Sequence, residues 1–257
     1  EPARVAMTAT REGGDLILTG AKRYVVAAEI ATHLVVSARV AGAPGARAGI
    51  VVALVARDAP GATLDAYDTV DGRRGANIRF EAVRVPAADV LADEDAGCDL
   101  LDAALAPTVL ALCADAVGAM GALVKITARY AADRKQFGVP IGSFQAVKHH
   151  MANIAVRLEY ARAPVHRAAY AIAHERANAA LAVSHAKLAA CEAANLAAKN
   201  CIQVHGAMGY TWEVDLHIFM KKAWALANTW GDAGYHKARV GERIFADGAV
   251  LGAGATF

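Results

Sequence analysis

A short segment in the second half of the chain combines a cation, an amide and an aromatic ring within four residues. Arg134, Gln136 and Phe137 precede residues 140–143, where proline, glycine and serine predict a break between two helices. A guanidinium can donate charge-assisted hydrogen bonds to a phosphate, and a phenyl ring offers a flat face to a ring system. From the residues alone, a solvated helix end followed by a turn is the favoured interpretation of the same segment.

The composition excludes several classes of protein. The chain has 257 residues, of which 56% are hydrophobic, 20% charged and only 6% aromatic, and its formal net charge is +2. Such an apolar chain with balanced charge is neither intrinsically disordered nor a dedicated nucleic-acid binder. Alanine supplies most of the apolar content. Because alanine favours helices and lets them approach closely, we expect closely packed helices.

We expect neither a membrane span nor export. The longest uncharged stretches, such as residues 103–114, are shorter than the roughly 20 residues that a hydrocarbon core requires. The chain opens without a hydrophobic signal region, and its four cysteines are scattered within or beside apolar helical patterns. These features predict a reduced, cytoplasmic protein whose cysteines are buried thiols.

The chain divides into two unlike parts. Residues 1–95 contain short apolar or alternating runs between turn residues, which predict strands at 16–20, 32–36, 49–55 and 77–82. In the last run, Ile78, Phe80 and Ala82 should share one face. Residues 96–257 have a helical period, with helices predicted over 98–133, 143–174, 177–204 and 213–246. The predicted fold class is α+β, a small antiparallel β-barrel or sandwich followed by an antiparallel four-helix bundle.

The sequence does not indicate metal or nucleotide-loop chemistry. His149 and His150 are adjacent, so on a helix they point about 100° apart and do not form a metal pair. No Gly-rich dinucleotide loop, phosphate loop or nucleophile elbow occurs in the chain. His205, at a predicted helix end, is better explained as a capping or packed residue than as a catalyst. We therefore expect no metal site.

Three separated motifs, in this order, resemble the acyl-CoA dehydrogenase family. They are residues 85–91 (VPAADVL), residues 142–149 (GSFQAVKH), which follow the Arg134 segment, and residues 203–213 (QVHGAMGYTWE). The resemblance extends over essentially the whole chain and implies the family's last two domains, a β-barrel and a four-helix bundle. Family members begin with a further helical domain that this sequence lacks, so we expect either a fragment or a partner that supplies it.

The resemblance implies that FAD is the cofactor. Arg134, Gln136 and Phe137 match family positions that contact the FAD pyrophosphate and adenosine half, typically from a neighbouring subunit. Gly209 and Tyr210 match positions where the family turns toward flavin and substrate. The positions that match the adenine-side contacts are Gln203, Val204, Gly206 and Ala207. The positions that match the family's tryptophan-isoleucine-threonine segment beside the isoalloxazine ring are Tyr24, Val25 and Val26.

Two of these matched positions depart from the family pattern. Ala207 replaces a frequent glycine, which is a mild change. Val26 replaces a threonine, so the hydroxyl that would otherwise hydrogen-bond the flavin is missing. Only the backbone groups of this barrel segment can therefore act as they do in the family.

The catalytic base of the family is missing from its usual place. Family chemistry needs a carboxylate to remove the α-proton of an acyl-CoA thioester while a β-hydride passes to flavin N5. Aligning Gly231 with the glycine that follows the usual glutamate places Trp230 at the glutamate position, and a second family location aligns near Thr108. Asp232, two positions further along, is the candidate for a displaced base. An ordinary helix cap or ion pair is the alternative role for that carboxylate.

The resemblance implies an FAD-dependent acyl-CoA dehydrogenase chain that works as a dimer or tetramer and passes electrons to an electron-transfer flavoprotein. The missing glutamate leaves an alternative, a non-catalytic or half-site subunit paired with a related chain that carries the base. Such assemblies occur among relatives that act on bulky acyl-CoA substrates, including steroid side chains. A variant reaction that needs no such base is a third interpretation. A structural subunit without flavin and a plain helical interaction module remain open as other classes of function.

Overall fold

The computed structural model describes residues 2–252, and the chain separates into two compact units. The first unit covers Glu1–Leu105 and the second covers Ala106–Phe257. The division predicted from the sequence, between residues 95 and 96, lies ahead of this boundary because the first long helix begins within the first unit and continues into the second.

The first unit is built on a seven-stranded sheet with the order β5-β6-β2-β1-β3-β4-β7. Its strands are β1 (Thr8–Glu12), β2 (Asp15–Val26), β3 (His33–Arg39), β4 (Ile50–Ala56), β5 (Ala62–Asp68), β6 (Arg74–Val85) and β7 (Val90–Ala92). Neighbouring strands pair antiparallel except for β1 and β3, which are parallel at Thr8 and Arg39. The sheet is therefore mixed rather than wholly antiparallel, and the predicted α+β class is confirmed.

The buried positions of β6 alternate from Ala76 to Phe80 and then shift at a bulge, whereas residues 50–53 of β4 are all buried. Ile78 and Phe80 are buried as predicted, whereas Ala82 is exposed with φ +50° and Val83 is buried instead. Between the pairs Leu18–Val83 and Gly20–Phe80, β6 contains one residue more than β2. An extra residue reverses which side chains face the core. The prediction for Ala82 was wrong because alternation alone does not reveal a bulge.

The second unit is helical. Its helices are α1 (Gly97–Asp133), which begins in the first unit, α2 (Gln145–Ala173), α3 (Ala179–His205), α4 (Leu216–Asn228) and α5 (Ala233–Ile244). The first three agree with the predicted helices to within two residues. The single helix predicted over 213–246 is instead divided into α4 and α5. Seven of the fifteen buried residues of α3 are alanines, in line with the alanine-rich composition.

The longest helix, α1, has the length and apolar composition of a membrane span, contrary to the expectation that no stretch is long enough. Its most apolar 18-residue window has a mean hydropathy of 1.9. This is weak evidence for a span, because core helices of soluble proteins meet the same criterion. Val109, Cys113 and Met120 on this helix are buried in the core of the second unit. All four cysteines of the chain are buried free thiols, as predicted.

A buried arginine holds the loop between β3 and β4. The Arg39 guanidinium is almost inaccessible and donates hydrogen bonds to the backbone carbonyls of Ala41, Ala46 and Ala48, at 3.2, 2.9 and 3.0 Å. It also donates to the carbonyl of Ala3 at 2.7 Å, near the beginning of the chain. The hydrogen bond to Ala3 is buried and the three to the loop are part-buried, and a buried carbonyl that loses its donor retains the full cost of desolvation. Arg39 therefore connects two irregular segments to the sheet.

Replacement of this residue, Arg39→Met, should lower the free energy of unfolding by about 3 kcal/mol, because the four carbonyls lose their donors. Chemical denaturation followed by circular dichroism measures the change. The control is Arg84→Met, which removes an exposed guanidinium paired with Glu12 and Asp15 and should leave stability close to the wild type. Equal effects of the two substitutions would contradict this role for Arg39.

Candidate functional site

The segment with the cation, the amide and the ring forms a tight hairpin after α1. Strands β8 (Lys135–Gln136) and β9 (Val139–Pro140) pair antiparallel, and Phe137 and Gly138 form the two-residue turn with φ of +54° and +81°. Positive φ at both central residues is typical of a type I′ turn. The Phe137 ring is 92% exposed and contacts Phe144 edge-on, at 6.0 Å between centroids. The hairpin therefore presents an aromatic ring at its tip.

The polar residues of the hairpin also face solvent. The backbone of Arg134 is fixed at both ends, since its N–H donates to Tyr130 and its carbonyl accepts from Ile141, each at 2.8 Å. Its exposed side chain makes no ion pair within residues 2–252. The Gln136 Nε2 donates to the carbonyl of Lys135 at 2.8 Å. A guanidinium on a fixed backbone, without a carboxylate partner, suits an anionic ligand.

The adenine-side residues lie at the end of α3. Gln203 is exposed and Val204 is buried in the last turn, and α3 ends where Gly206 adopts φ +59°. A single 3₁₀ turn, Gly206–Tyr210, follows and carries Ala207 on its exposed side. Gly209 is buried so closely that a Cβ there would lie 2.9 Å from the Ile202 carbonyl oxygen. Tyr210, the next residue, is 77% exposed.

A ring stack connects the hairpin with the end of α3. Tyr130, one turn before Arg134, stacks on His205 with centroids 4.1 Å apart and planes inclined by 21°. The Tyr130 hydroxyl also donates to the carbonyl of His205 at 3.4 Å. The structure thus brings the two predicted groups of the second unit to one region. Nothing in the sequence singled out Tyr130, because its partner lies 75 residues away.

The His205 ring is buried, and only one of its two nitrogens has a hydrogen-bond partner among the described residues. Its Nδ1 lies 2.8 Å from the carbonyl oxygen of Cys201, which can only accept, so Nδ1 carries the proton. Burial lowers the pKa of His205, which keeps the ring neutral. Its Nε2 is then a buried acceptor without a hydrogen-bond partner among the described residues. An orphaned acceptor beside the predicted adenine-side residues fits a ligand that carries N–H groups.

The three flavin-side residues of the first unit lie at the end of β2. One extra residue on β2, between the pairs Lys22–Ile78 and Val25–Ala76, forms a bulge in which Tyr24 has φ +55°. Tyr24 is 41% exposed, while Val25 and Val26 are half-buried. The bulge lets side chains at the end of the strand leave the regular alternation.

The position of the missing base lies in the break between α4 and α5. Trp230 and Gly231 have φ of +55° and +104°, and the indole of Trp230 is 56% exposed. The buried amino group of Lys187, on α3, donates to the carbonyls of Leu226 and Thr229. These are carbonyls that the end of α4 leaves without helical partners. The ending of α4 is therefore fixed by a side chain of another helix.

The other side of the break is held by His236 on α5. Its Nε2 donates to the carbonyl of Trp230 at 3.3 Å, and its Nδ1 lies 3.2 Å from the Ser184 hydroxyl on α3. Burial lowers the pKa of His236 to about 4, so the ring is neutral at physiological pH. Sequence reasoning missed Lys187, Ser184 and His236. The position of Lys187 within an otherwise small and apolar helical run is the one signal that could have indicated such a role.

Asp232 is the N-cap of α5. Its Oδ1 accepts a hydrogen bond from the backbone N–H of Tyr235 at 2.8 Å. This is the usual role of aspartate at a helix N-terminus. One carboxylate oxygen is therefore committed to the helix, in agreement with the alternative role considered for this residue.

The comparisons with known proteins identify the family. The profile of the acyl-CoA dehydrogenase middle domain matches residues 1–83, and that of the acyl-CoA dehydrogenase C-terminal domain matches residues 95–245. The chain therefore belongs to the acyl-CoA dehydrogenase family. Members of this family are flavoprotein oxidoreductases that generally bind FAD.

Individual relatives agree with this assignment. The chain is 34% identical over 219 residues to "Probable acyl-CoA dehydrogenase YngJ" of Bacillus subtilis, a match that covers 84% of this chain and 57% of that protein. It is 44% identical over 112 residues to acyl-CoA dehydrogenase IpdE2 of Mycobacterium tuberculosis, a match that covers 44% of this chain and 33% of that protein. The solved structure of an FAD-dependent dehydrogenase superposes on this chain with a TM-score of 0.89 at 28% identity. The match covers 95% of this chain and 66% of that one. The chain thus spans less than two thirds of each of these proteins.

The substitution Gly231→Ala, in the break between α4 and α5, should destabilise the protein. A Cβ at this position would lie 2.5 Å from Tyr235 Cδ1 and 2.7 Å from His236 Nε2, on a backbone with positive φ. The substitution should lower the free energy of unfolding by about 3 kcal/mol. In Gly241→Ala, inside α5, the new Cβ meets only Phe245 Cδ2 at 3.9 Å, and stability should rise by up to about 1 kcal/mol. Thermal unfolding of both variants tests the opposite signs.

Proposed function

We propose that this chain binds FAD and an acyl-CoA thioester as part of an acyl-CoA dehydrogenase that carries out α,β-dehydrogenation. The main support is the exposed hairpin that carries Arg134 and Phe137 in a chain of this family. Tyr130, just before the hairpin, stacks on His205 and so holds the hairpin near the end of α3. The orphaned Nε2 of His205 beside Gln203 adds a buried acceptor to the same region.

Each group of residues in the two units has its own role in the proposal. Arg134 neutralises the FAD pyrophosphate, and Phe137 covers the adenosine half, in each case for the flavin of a neighbouring subunit. Gln203, Val204, Gly206 and Ala207 contact the adenine side. Tyr24, Val25 and Val26 line the isoalloxazine side through their backbone groups. Gly209 and Tyr210 lie toward the substrate.

The reaction requires a proton acceptor and a hydride acceptor. Bound FAD supplies the hydride acceptor at flavin N5. The α-proton of the thioester must pass to a carboxylate, and the indole of Trp230 has only an N–H donor. In this proposal, the side chain at position 230 therefore cannot supply the base.

We infer from this that the chain is the half-site subunit of a heteromeric acyl-CoA dehydrogenase, whose partner is a related chain that carries the glutamate. The alternative is an active homo-oligomer, dimer or tetramer, in which Asp232 acts as a displaced base. Both versions use an acyl-CoA substrate, with a fatty-acid or steroid side chain, and a cytoplasmic electron-transfer flavoprotein as the electron acceptor. The N-cap hydrogen bond of Asp232 favours the first version.

The cofactor proposal predicts a yellow protein whose flavin depends on Arg134. The full chain, expressed together with the related chain, should retain FAD with the visible absorbance of flavin. Arg134→Gln should weaken FAD binding at least about tenfold, because a charge-assisted hydrogen bond to phosphate is lost. The control Arg162→Gln removes the same charge from α2, where Arg162 pairs with Glu159, and should bind FAD as the wild type does. Colourless protein that stays colourless with added FAD and partner refutes the proposal.

The assignment of the base is tested by Asp232→Asn. Asparagine is as good an N-cap as aspartate, so the variant removes the base while the fold is preserved. If Asp232 takes the α-proton, turnover in an acyl-CoA oxidation assay falls roughly 10²–10⁴-fold. Turnover within twofold of the wild type, roughly the scatter of such assays, assigns the proton to the partner's glutamate, the result that we expect. Co-purification with a related chain is the companion measurement.

The complementary variant is Trp230→Glu, which returns a carboxylate to the position. The backbone is already in the left-handed conformation, and His236 holds its carbonyl, so the side chain changes without a new loop. In a complex whose partner glutamate has been changed to glutamine, this variant should restore turnover. No turnover in the folded, FAD-bound complex would show that position 230 does not face the substrate.

A further inference from the structure

A cavity of about 540 Å³ opens at the N-terminal end of α3, the end opposite His205, and is lined by three arginines. Arg176 lies in the connection between α2 and α3, and Arg239 and Arg243 lie in the last two turns of α5. The rest of the wall is formed by Ala177 and Asn178, just before α3, and by Ala180, Leu181 and Ser184 in its first two turns. None of the residues proposed to contact FAD or substrate lines this cavity.

The packing of α5 against α3 explains why the arginines converge. His236 contacts Ser184, which fixes the relative position of the two helices. Arg239 and Arg243 follow His236 by three and seven residues and therefore lie on the same face of α5. The residues of α3 that line the cavity precede Ser184, so the two helices run in opposite directions here. The C-terminal arginines of α5 are thus carried to the N-terminus of α3, beside Arg176.

Within residues 2–252, the arginines of this cavity have no carboxylate partner. None of the three arginines makes an ion pair with a carboxylate in the part of the chain between residues 2 and 252, and no lining residue is acidic. Helix α3 has no acidic residue in its first turn, and the Asn178 side chain does not cap it. The N-terminus of a 27-residue helix adds its partial positive charge to that of the guanidinium groups.

The helix dipoles account for only part of this arrangement. Arg239 and Arg243 lie in the C-terminal half of α5, where a cation is favourable, whereas Arg176 lies between the C-terminus of α2 and the N-terminus of α3, whose dipoles act on it in opposite senses. Two of the guanidinium groups are also oriented by aromatic rings, since Arg176 lies 5.8 Å from the Tyr170 centroid and Arg239 lies 5.7 Å from that of Tyr235. Such orientation lowers the entropy lost when a ligand binds.

We propose that this cavity binds an anion with two or more phosphate charges, held by Arg176, Arg239 and Arg243 and by the backbone N–H groups of the first turn of α3. Guanidinium groups bind phosphate oxygens in pairs, and helix N-termini accept phosphate groups. The shared chemistry is a diphosphate or a bisphosphate. A nucleoside diphosphate group would supply the first and the 3′,5′-bisphosphate of a coenzyme A nucleotide the second.

The test is isothermal titration of the full chain with pyrophosphate and with adenosine 3′,5′-bisphosphate. We expect one of them to bind more tightly than inorganic phosphate, with an affinity that falls as sodium chloride is raised. The double variant Arg239→Gln/Arg243→Gln should weaken that binding at least tenfold. The control Arg162→Gln, with one arginine removed outside the cavity, should bind as the wild type does. The ligand that binds more tightly identifies the source of the phosphate groups.

Two results would overturn the proposal. One is the absence of binding by either ligand in low salt. The other is equal affinity in the wild type and the double variant. Circular dichroism and the thermal midpoint of each variant establish that a loss of binding reflects the missing guanidinium groups and not an unfolded helix.

Discussion

The arrangement of α4 and α5 depends on the two hydrogen bonds that the amino group of Lys187 donates. This amino group is buried on α3 and donates to the carbonyls of Leu226 and Thr229, which ends α4 at a fixed point. A buried amino group needs hydrogen-bond acceptors. The carbonyls at the end of α4, which have no helical partners, supply them. The break that results makes α5 a separate helix, places His236 against Ser184, and brings the arginines of α5 to the beginning of α3.

Small side chains allow a single helix to carry these contacts. Seven of the fifteen buried residues of α3 are alanines, and the helix packs against α2, α4 and α5. Because alanine adds little width, neighbouring backbones come within reach of a lysine or a serine side chain. At the opposite end of α3 the same helix carries His205, which stacks on Tyr130 and places the hairpin beside the adenine-side residues. One helix thus positions residues proposed to contact the cofactor, the break that contains Trp230, and the arginine cavity.

Several elements could be predicted because their signals are local. The periods of 3.6 and 2 residues located α1, α2 and α3 to within two residues and several of the strands. The division of the last helix was missed because the apolar period continues across it. Gly231 followed by Asp232, a helix stop next to a helix cap, was the available signal. The bulge that exposes Ala82 had no local signal, since it depends on the register with β2.

The sequence by itself determined the class, because residue types and motif order reflect chemistry that is local in the chain. It supplied the residues of the hairpin and of the end of α3, and the family resemblance aligned Trp230 with the expected position of the base. Only the tertiary structure decided which of these residues meet. Tyr130 reaches His205, Lys187 reaches Thr229, and Arg176 reaches the cavity with Arg239 through packing between residues distant in sequence. Such contacts depend on the distances and angles between helices, which no short pattern of residues specifies.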